Sequence, residues 1–301
     1  MYNENTKNQF ISELQSGDTI ESYKSVFNRA EKFETQLNKD IFSLDLKECN
    51  DLLSELNPKS VNQISVLKSL FSKYTDWAIL ANLADKNNWV SVPIDESLTK
   101  DSFKDRYVKN LDELINVANM GLGSWYDKCI LYLLYMGIMG NQHYEEITHL
   151  LDDDVKVGQK MINTNRRIFN IIDPLYDLIQ KHEHFEESKR RDENSIYFIK
   201  PFIKRGREGQ PININYIFHL FRRLQENIFE ATKEKKNYSA TTIWRSGLFY
   251  SLYQLEQTNG SLTYADYVNV GEVFGKEMIN FSLLSRDYET YKKVFWSNEE
   301  K

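Results

Sequence analysis

The feature that most constrains the fold is a long run of apolar side chains at three- and four-residue spacing after Pro58. That spacing lays one apolar stripe along an α-helix, so residues 60–83 are predicted to form one amphipathic helix that Ser60 opens. Further stripes of the same period predict helices over residues 4–15, 19–37 and 44–56. We therefore expect residues 1–90 to form a small helical bundle.

Residues 91–104 break the helical period and carry Pro93, so we expect a linker there, before a second domain over residues 105–301. In that domain two β-rich runs flank the turn "NTNR", which predicts a β-hairpin. The other elements expected there are helices over residues 106–120, 124–136, 213–228 and 241–255 and a strand over 195–199. The predicted fold class is mainly α, with a small β-hairpin sheet and two domains.

Composition indicates a globular protein, with 41% apolar and 27% charged residues and no apolar run that approaches a membrane span. The start "MYNENTKNQF" lacks the basic and apolar pattern of a signal peptide, so we expect a cytoplasmic protein. Cys49 and Cys129 lie far apart without a second ligand at metal spacing. Both are expected to be buried, and neither a disulfide nor a zinc site is predicted.

The charge is unevenly distributed along the chain. The net charge is −6, yet residues 155–250 alone carry +7. A local basic block on an acidic chain is typical of a polyanion-binding face, although solvated helix surfaces would explain the same excess. Eight of its residues, on three separate elements, are the expected DNA contacts: Arg166, Arg167, Lys200, Lys204, Arg205, Arg207, Arg222 and Arg223.

Patterns for metal or cofactor chemistry are weak. The histidine pairs His143/His149 and His182/His184 have no carboxylate or cysteine at ligand spacing, and Asp152-Asp153-Asp154 reads as a turn. "GLGS" (121–124) lacks the lysine of a phosphate-binding loop and is expected to join two helices. We predict no metal and no cofactor.

One arginine stands in an apolar stretch, "YSATTIWRSGLFYS". A half-buried guanidinium is costly unless it is paired, so Arg245 is expected to have an anionic partner. That partner is a side chain, a catalytic substrate or a DNA phosphate.

The order of the motifs resembles that of the tyrosine recombinases, or phage integrases, over nearly the whole chain. "TIESYKSVFNRAEKF" and "SVNQISVLKSLFSKYTDWAI" look like the first and last helices of their core-binding domain. "LYLLYMGIMGNQHYEEITHLLDDDV", the hairpin, the "YF" strand and "TIWRSGLFY" follow in the family's order. The resemblance implies a two-domain clamp, with a SAM-like DNA-binding domain over 1–90 and a catalytic-like domain over 105–301.

Active members of that family surround the scissile phosphate with two arginines, a hairpin lysine and two histidine-type acids, and a tyrosine attacks it. Only Arg245 fits, as the second arginine. The other matching positions are degenerate: His143 for the first arginine, Thr242 and Ser246 for the acids, Lys276 for a histidine, and Ser285 for the tyrosine, with Tyr288 and Tyr291 slightly beyond. On the hairpin, Lys160 is expected on a strand, and Asn165 and Arg166 in the turn.

Because most of the family's catalytic residues are missing, we predict a protein that binds DNA and does not cut it. DNA binding rests on many separate phosphate contacts, whereas strand cleavage needs the complete set of catalytic residues. Expected DNA contacts in the first domain are Lys59, Asn62 and Lys68, and Arg245 is expected to hold a DNA phosphate or an internal carboxylate. We expect no catalytic residue among the degenerate positions.

The patterns are also similar to the recombinase-like repressors that maintain lysogeny in SPbeta-type Bacillus prophages. This resemblance implies a sequence-specific repressor at the bacterial nucleoid. Its partners would be double-stranded DNA with repeated operator-like sites and, on that DNA, further copies of itself, with no membrane. The alternatives are a divergent active integrase that uses Tyr288 or Tyr291 and a helical scaffold that binds only protein.

Overall fold

The computed structural model describes residues 1–14, 17–140, 144–164, 166–190, 201–205, 210–275 and 280–296. The chain divides into two compact units, Met1–Phe103 and Lys104–Lys301. The described part is mainly helical, with small antiparallel sheets in the second unit, which confirms the predicted fold class. Within those ranges we find no helix long and apolar enough to cross a membrane.

The first unit is a helical bundle, as predicted. Its main helices are α1 (Glu4–Ser12), α2 (Gly17–Leu37), α3 (Leu46–Glu55) and α4 (Val61–Leu80). Ser60 opens α4, since its hydroxyl accepts a hydrogen bond of 3.2 Å from the backbone N–H of Gln63. The core is rich in aromatic rings that pack edge to face. The ring centroids of Phe10 and Tyr23, for example, are 4.9 Å apart.

Part of the predicted linker belongs to this bundle. A 3₁₀ turn over Asn88–Ser91 packs on α4, and the ring of Trp89 lies 4.6 Å from that of Phe71. Val92 is buried in the same core. The broken helical period therefore marks a change of backbone conformation, while the large apolar side chains still pack on the bundle. The helix α5 (Lys100–Lys104) follows, where the two units divide.

The second unit contains nearly all the predicted elements. Its helices are α6 (Leu111–Gly121), α7 (Trp125–Tyr135), α8 (Glu145–Thr148), α9 (Asp173–Arg190), α10 (Ile214–Thr232), α11 (Ala240–Asn259), α12 (Tyr264–Val273) and α13 (Phe281–Phe295). Its strands are β1 (Val155–Lys156), β2 (Met161–Asn163), β3 (Ile168–Asn170), β4 (Lys204–Arg205) and β5 (Gln210–Pro211). The predicted strand over 195–199 lies outside the described residues.

The hairpin prediction is confirmed, because β2 and β3 pair in an antiparallel register with Ile162 opposite Phe169. Lys160 differs from its prediction. It lies in a turn before β2 with φ 50°, and its ammonium lies 3.3 Å from a carboxylate oxygen of Asp173. A 3₁₀ turn interrupts the β-rich run and ends at Lys160, so the strand begins one residue later.

The core of the second unit is built around α7, which is buried along most of its length. Helix α11 crosses α7 closely. The two backbones are so near each other at Gly247 that a Cβ atom there would lie 1.8 Å from the backbone oxygen of Tyr135.

Other details of the second unit agree with the sequence or correct it. Both cysteines are buried, and "GLGS" joins α6 to α7, as predicted. Helix α6 begins at Leu111, later than predicted, since Asn110 accepts a hydrogen bond from the backbone of Glu113 and caps the helix.

Candidate nucleic-acid interface

Arg245 has an internal anionic partner. It lies on α11, and its Nη1 is 3.3 Å from an oxygen of Asp287 on α13. The arginine side chain is 31% exposed, so solvent reaches the pair. Arg245 therefore has the internal carboxylate partner that was one of the two expectations. Its contact with a DNA phosphate stays a prediction.

The two residues that the resemblance matched to the family's acids, Thr242 and Ser246, bind backbone groups with their hydroxyls. Thr242 closes the capping box at the helix start, where its hydroxyl accepts a 2.8 Å hydrogen bond from the backbone N–H of Ser239. Ser246 is buried; its hydroxyl donates to the carbonyl of Thr242 at 2.8 Å and accepts from the backbone N–H of Val108 at 3.1 Å. Both hydroxyls are thus engaged in holding the fold.

Tyr288 is buried on α13 and its hydroxyl is engaged. It donates a 2.5 Å hydrogen bond to Glu256 on α11, a carboxylate that also accepts from Lys292 at 2.8 Å. Burial, and then the hydrogen bond to Glu256, raise the pKa of Tyr288 above its ordinary value. A nucleophilic phenolate is therefore disfavoured in this arrangement.

Tyr291 is equally enclosed. Its hydroxyl donates to the carbonyl oxygens of Val108, at 3.1 Å, and of Lys109, at the start of the second unit. Burial raises the pKa of Tyr291 well above its usual value. The ring also lies 5.2 Å from Phe249 of α11, so the side chain fastens α13 to the core.

Arg167 points into the protein, unlike the phosphate contact that was expected. Its guanidinium donates to both carboxylate oxygens of Glu146, and also to the carbonyl oxygens of Gly137 and Val273. Only 16% of the side chain is exposed. A Cβ atom on Gly275 would lie 2.9 Å from the guanidinium, so a glycine leaves room for it. This arginine joins the hairpin to three other segments, a role that no local pattern in the sequence indicates.

Glu146 is the centre of that arrangement. Besides Arg167, it accepts backbone hydrogen bonds from Met139 at 3.2 Å and Gly140 at 2.9 Å. A cavity of about 210 Å³ lies beside it, lined by Glu145, Glu146, His149, Leu150, Asp154, Thr164 and Arg166. With Glu146 paired to Arg167, the lining still has two carboxylates, Glu145 and Asp154, against one arginine, which is unfavourable for a DNA phosphate. Arg166, which is exposed, lies 3.9 Å from Glu145 at the rim.

Two further residues that were expected to contact DNA, Arg222 and Arg223, are adjacent on α10. The side chain of Arg222 is 68% exposed, and its Nε forms a loose ion pair with a carboxylate oxygen of Glu226 at 3.9 Å. Arg223 donates from Nη2 to Asp127 on α7 at 3.0 Å, and the hydroxyl of Tyr216 donates to the other oxygen of Asp127 at 2.7 Å. Asp127 and Tyr216 were not among the residues expected at the interface. A single acid within the apolar run "WYDKCILYLLY" is a signal that could have drawn attention to Asp127.

In the first unit the exposed stripe of α4 differs from the predicted one. Lys59 and Asn62 are exposed, but Lys68 is half-buried, and its ammonium donates to the carbonyl of Val92 at 2.5 Å. Lys68 is six residues after Asn62, which places it about 240° around the helix. The stripe continues instead through Val66, Ser69 and Lys73, which are exposed at helical spacing.

Several predicted residues cannot be placed. His143, Lys200, Arg207 and Lys276 lie outside the described residues, whereas Lys204 and Arg205 form β4. In the part of the chain that the structure describes, histidine, cysteine and acidic side chains form no cluster that could hold a metal ion.

Among solved structures, similar chains include the Tn1549 transposon integrase in complex with circular intermediate DNA (TM-score 0.42, 15% identity, 94% of each chain). They also include the XerA recombinase (TM-score 0.40, 14% identity, 97% of this chain and 99% of that one). A lambda integrase dimer bound to a COC′ core site is a third (TM-score 0.42, 11% identity, 99% of this chain and 96% of that one).

A curated relative is the SPbeta prophage-derived uncharacterized protein YopR of Bacillus subtilis (strain 168), 26% identical over 147 residues. The match covers 48% of this chain and 44% of that protein. Two family models match in succession: the N-terminal core-binding domain of MrpR over residues 1–80 and the C-terminal catalytic domain of MrpR over residues 109–298. Because the second match alone spans more than half of the chain and the first precedes it in order, the chain belongs to the MrpR family.

Proposed function

We propose that this protein binds double-stranded DNA in a sequence-specific manner, has lost strand cleavage, and acts as a prophage repressor that maintains lysogeny. The observation that carries the loss of cleavage is the state of the two candidate nucleophiles. Tyr288 and Tyr291 are both buried, and both hydroxyls donate to internal acceptors. An attacking tyrosine must reach the scissile phosphate, so each of these hydrogen bonds opposes the reaction.

The surroundings support the same proposal. The positions of the family's acids hold Thr242 and Ser246, whose hydroxyls serve the backbone of α11. On the hairpin, Lys160 lies in a turn, and its ammonium is 3.3 Å from a carboxylate oxygen of Asp173. Loss of a single transition-state contact typically reduces the rate by about 10²–10³, so several losses together would leave negligible cleavage.

DNA binding is supported by exposed groups on both units, each taken by itself. The second unit offers Arg166 and Arg222 within the basic block, and the first offers Lys59, Asn62 and Lys73 on or beside α4. Phosphate contacts of this kind are distributed and tolerate the loss of catalytic groups. The similarity to a prophage-derived protein supports the prophage setting of the proposal.

Cleavage is tested with nicked suicide substrates made from the DNA sites that the protein binds. We expect no covalent protein–DNA adduct with the wild-type chain, and none with Tyr288→Phe or Tyr291→Phe. An adduct that disappears in one of these variants would establish an active integrase and refute the proposal.

DNA binding is tested by titrating fragments of the source genome at increasing salt. We expect salt-sensitive binding that persists near 100 mM salt, and Arg222→Ala should reduce the salt slope by about 1, as for one lost phosphate contact. Lys32→Ala is the matched control: Lys32 is 76% exposed and 3.9 Å from Glu55, an equally loose ion pair, in the acidic part of the chain. Absence of salt-sensitive binding would favour the protein-binding scaffold.

Repression is tested by mapping bound sites in the lysogen. Recurring sites near promoters, with transcripts that rise when the protein is removed, are the expected result. A single attachment site without transcriptional change would instead indicate integration.

A further inference from the structure

A buried carboxylate on α7 holds an exposed arginine on α10. Nη2 of Arg223 donates to Oδ2 of Asp127 at 3.0 Å, while the hydroxyl of Tyr216 donates to Oδ1 at 2.7 Å. The guanidinium carbon also lies 5.6 Å from the centre of the Tyr216 ring. Both oxygens of the acid are thus paired, and the arginine has a carboxylate on one side and a ring on another.

The chain builds this arrangement from local geometry. Tyr216 and Arg223 are seven residues apart on α10, two helical turns, and therefore share one face. Asp127 lies in the first turn of α7, where the helix dipole favours a negative charge. A buried carboxylate is costly without partners, so the tyrosine and the arginine together make its position tenable.

Exposure distinguishes this pair from the one on the hairpin. The carboxylates of Asp127 and Glu146 are similarly buried, but Arg223 is 44% exposed, whereas Arg167 is largely enclosed. Arg167 donates to four acceptor atoms in three groups of the protein, the Glu146 carboxylate and two backbone carbonyls. Arg223 is paired with Asp127 and lies beside Tyr216, and its exposure leaves part of the guanidinium open to solvent.

We propose that Asp127 and Tyr216 are positioning residues that hold Arg223 ready to bind DNA. The ligand is an acceptor pair on the duplex, either two phosphate oxygens or the O6 and N7 edge of guanine, both of which match a guanidinium fork. Fixing the arginine beforehand reduces the side-chain entropy lost on binding. The inference rests on the proposed DNA binding and adds which arginine is preorganised and by what.

The test compares dissociation constants of the full-length chain for a bound genomic site and for an unrelated duplex, at several salt concentrations. Arg223→Ala should weaken binding by about tenfold or more. If the loss is the same on both duplexes and the salt slope falls, the ligand is phosphate. If only the genomic site is affected, the ligand is guanine.

The positioning role requires a readout that stability alone would not change. Asp127→Asn should weaken binding about fivefold in the wild-type and in the Arg222→Ala background, but should have no further effect in the Arg223→Ala background. Tyr216→Phe keeps the ring, removes one hydrogen bond, and should act in the same direction with a smaller factor. Thermal unfolding shows that each variant is folded under the binding conditions.

Two results would contradict the inference. One is Arg223→Ala with unchanged affinity for both duplexes while the wild-type chain binds. The other is an effect of Asp127→Asn that is equal in the Arg222→Ala and Arg223→Ala backgrounds, which would make the pair a purely structural link between α7 and α10. Failure of the wild-type chain to bind any duplex would instead overturn the proposed function together with this inference.

Discussion

At the scale of single residues, the first unit contains a buried ion pair. Nζ of Lys7 lies 2.6 Å from one oxygen of Glu34 and 2.8 Å from the other, and it also donates to the carbonyl of Tyr2 at 2.8 Å. Neither charged side chain is reached by solvent. Asp40, at 3.7 Å, adds a second carboxylate to the same pocket. The lysine therefore joins α1 to α2 and to the loop that follows.

We expect Lys7→Met to destabilise the first unit by about 3–5 kcal/mol, because it leaves Glu34 buried without its counter-charge. Urea unfolding of fragment 1–103 measures the loss. The control is Lys24→Met, whose exposed pair with Glu21 should contribute less than about 1 kcal/mol. An equal loss in both variants would show that the buried pair has no special importance.

The same cluster predicts a pH dependence. Burial raises the pKa of Glu34 from 4.5 to about 7, against the attraction of Lys7. A folded-state pKa above the unfolded value gives stability that is complete below about pH 4.5 and is lost as the pH rises through about 7. The free energy of unfolding of fragment 1–103 should therefore fall as the pH is raised from about 5 to about 8.

The contribution of Glu34 to that slope should not exceed about 1.4 kcal/mol per pH unit, since its titration involves one proton. Glu34→Gln should flatten the profile, whereas Glu31→Gln should leave it unchanged, because Glu31 is exposed beside the N-terminal amine. An identical slope in Glu34→Gln and the wild-type fragment would assign the titration to another group.

At the scale of elements, the crossing of α7 and α11 decides the packing of the second unit. The close approach at Gly247 brings Ser246 against Val108, while Arg245, two residues before the glycine, lies nearer the surface beside Asp287. The helical period therefore places neighbouring residues of "WRSG" in quite different surroundings.

Gly247→Ala should destabilise the second unit by about 3 kcal/mol, since the new Cβ forces the two helices apart. Alanine is intrinsically the better helix former by about 1 kcal/mol, so any loss reports the crossing itself. Thermal unfolding of the full chain provides the measurement. Gly123→Ala, with no atom within 4 Å of the added Cβ, is the control and should change stability by less than about 0.5 kcal/mol. A neutral Gly247→Ala would mean that the crossing can relax.

At the scale of the whole molecule, the boundary of the first unit is testable. The broken helical period suggested a bundle that ends near residue 90, whereas the compact unit extends to Phe103. Val92 accounts for part of this difference, since its side chain is buried in the bundle and its carbonyl accepts a hydrogen bond from Lys68.

We expect fragment 1–103 to fold and fragment 1–90 to melt about 5–15 °C lower, as loss of one buried valine and its neighbours implies. Circular dichroism of the two fragments measures this difference, with Val92→Ala in fragment 1–103 as an intermediate case. Equal melting temperatures would show that residues 91–103 act as a linker after all.

The sequence by itself determined many of the elements. Periodicity and capping residues such as Ser60 are local properties, so the main helices of the first unit, α6, α7, α10 and α11 of the second, and the hairpin around "NTNR" could be predicted, whereas α8, α9, α12 and α13 were not. Composition and charge also located the basic block. What periodicity could not give was the direction of each charged side chain on its element, which left Lys68 and Arg167 among the expected DNA contacts.

Only the tertiary structure decided which charged side chains are paired with other groups inside the protein. Arg167 and Arg166 are adjacent in sequence, yet the first is bound by Glu146, which comes from a different element, and the second is exposed. Likewise Arg223 acquires its partner from α7, far away in the chain. The physical reason is that pairing of a charge depends on distances of a few ångströms between distant segments, and no local pattern in the sequence specifies these distances.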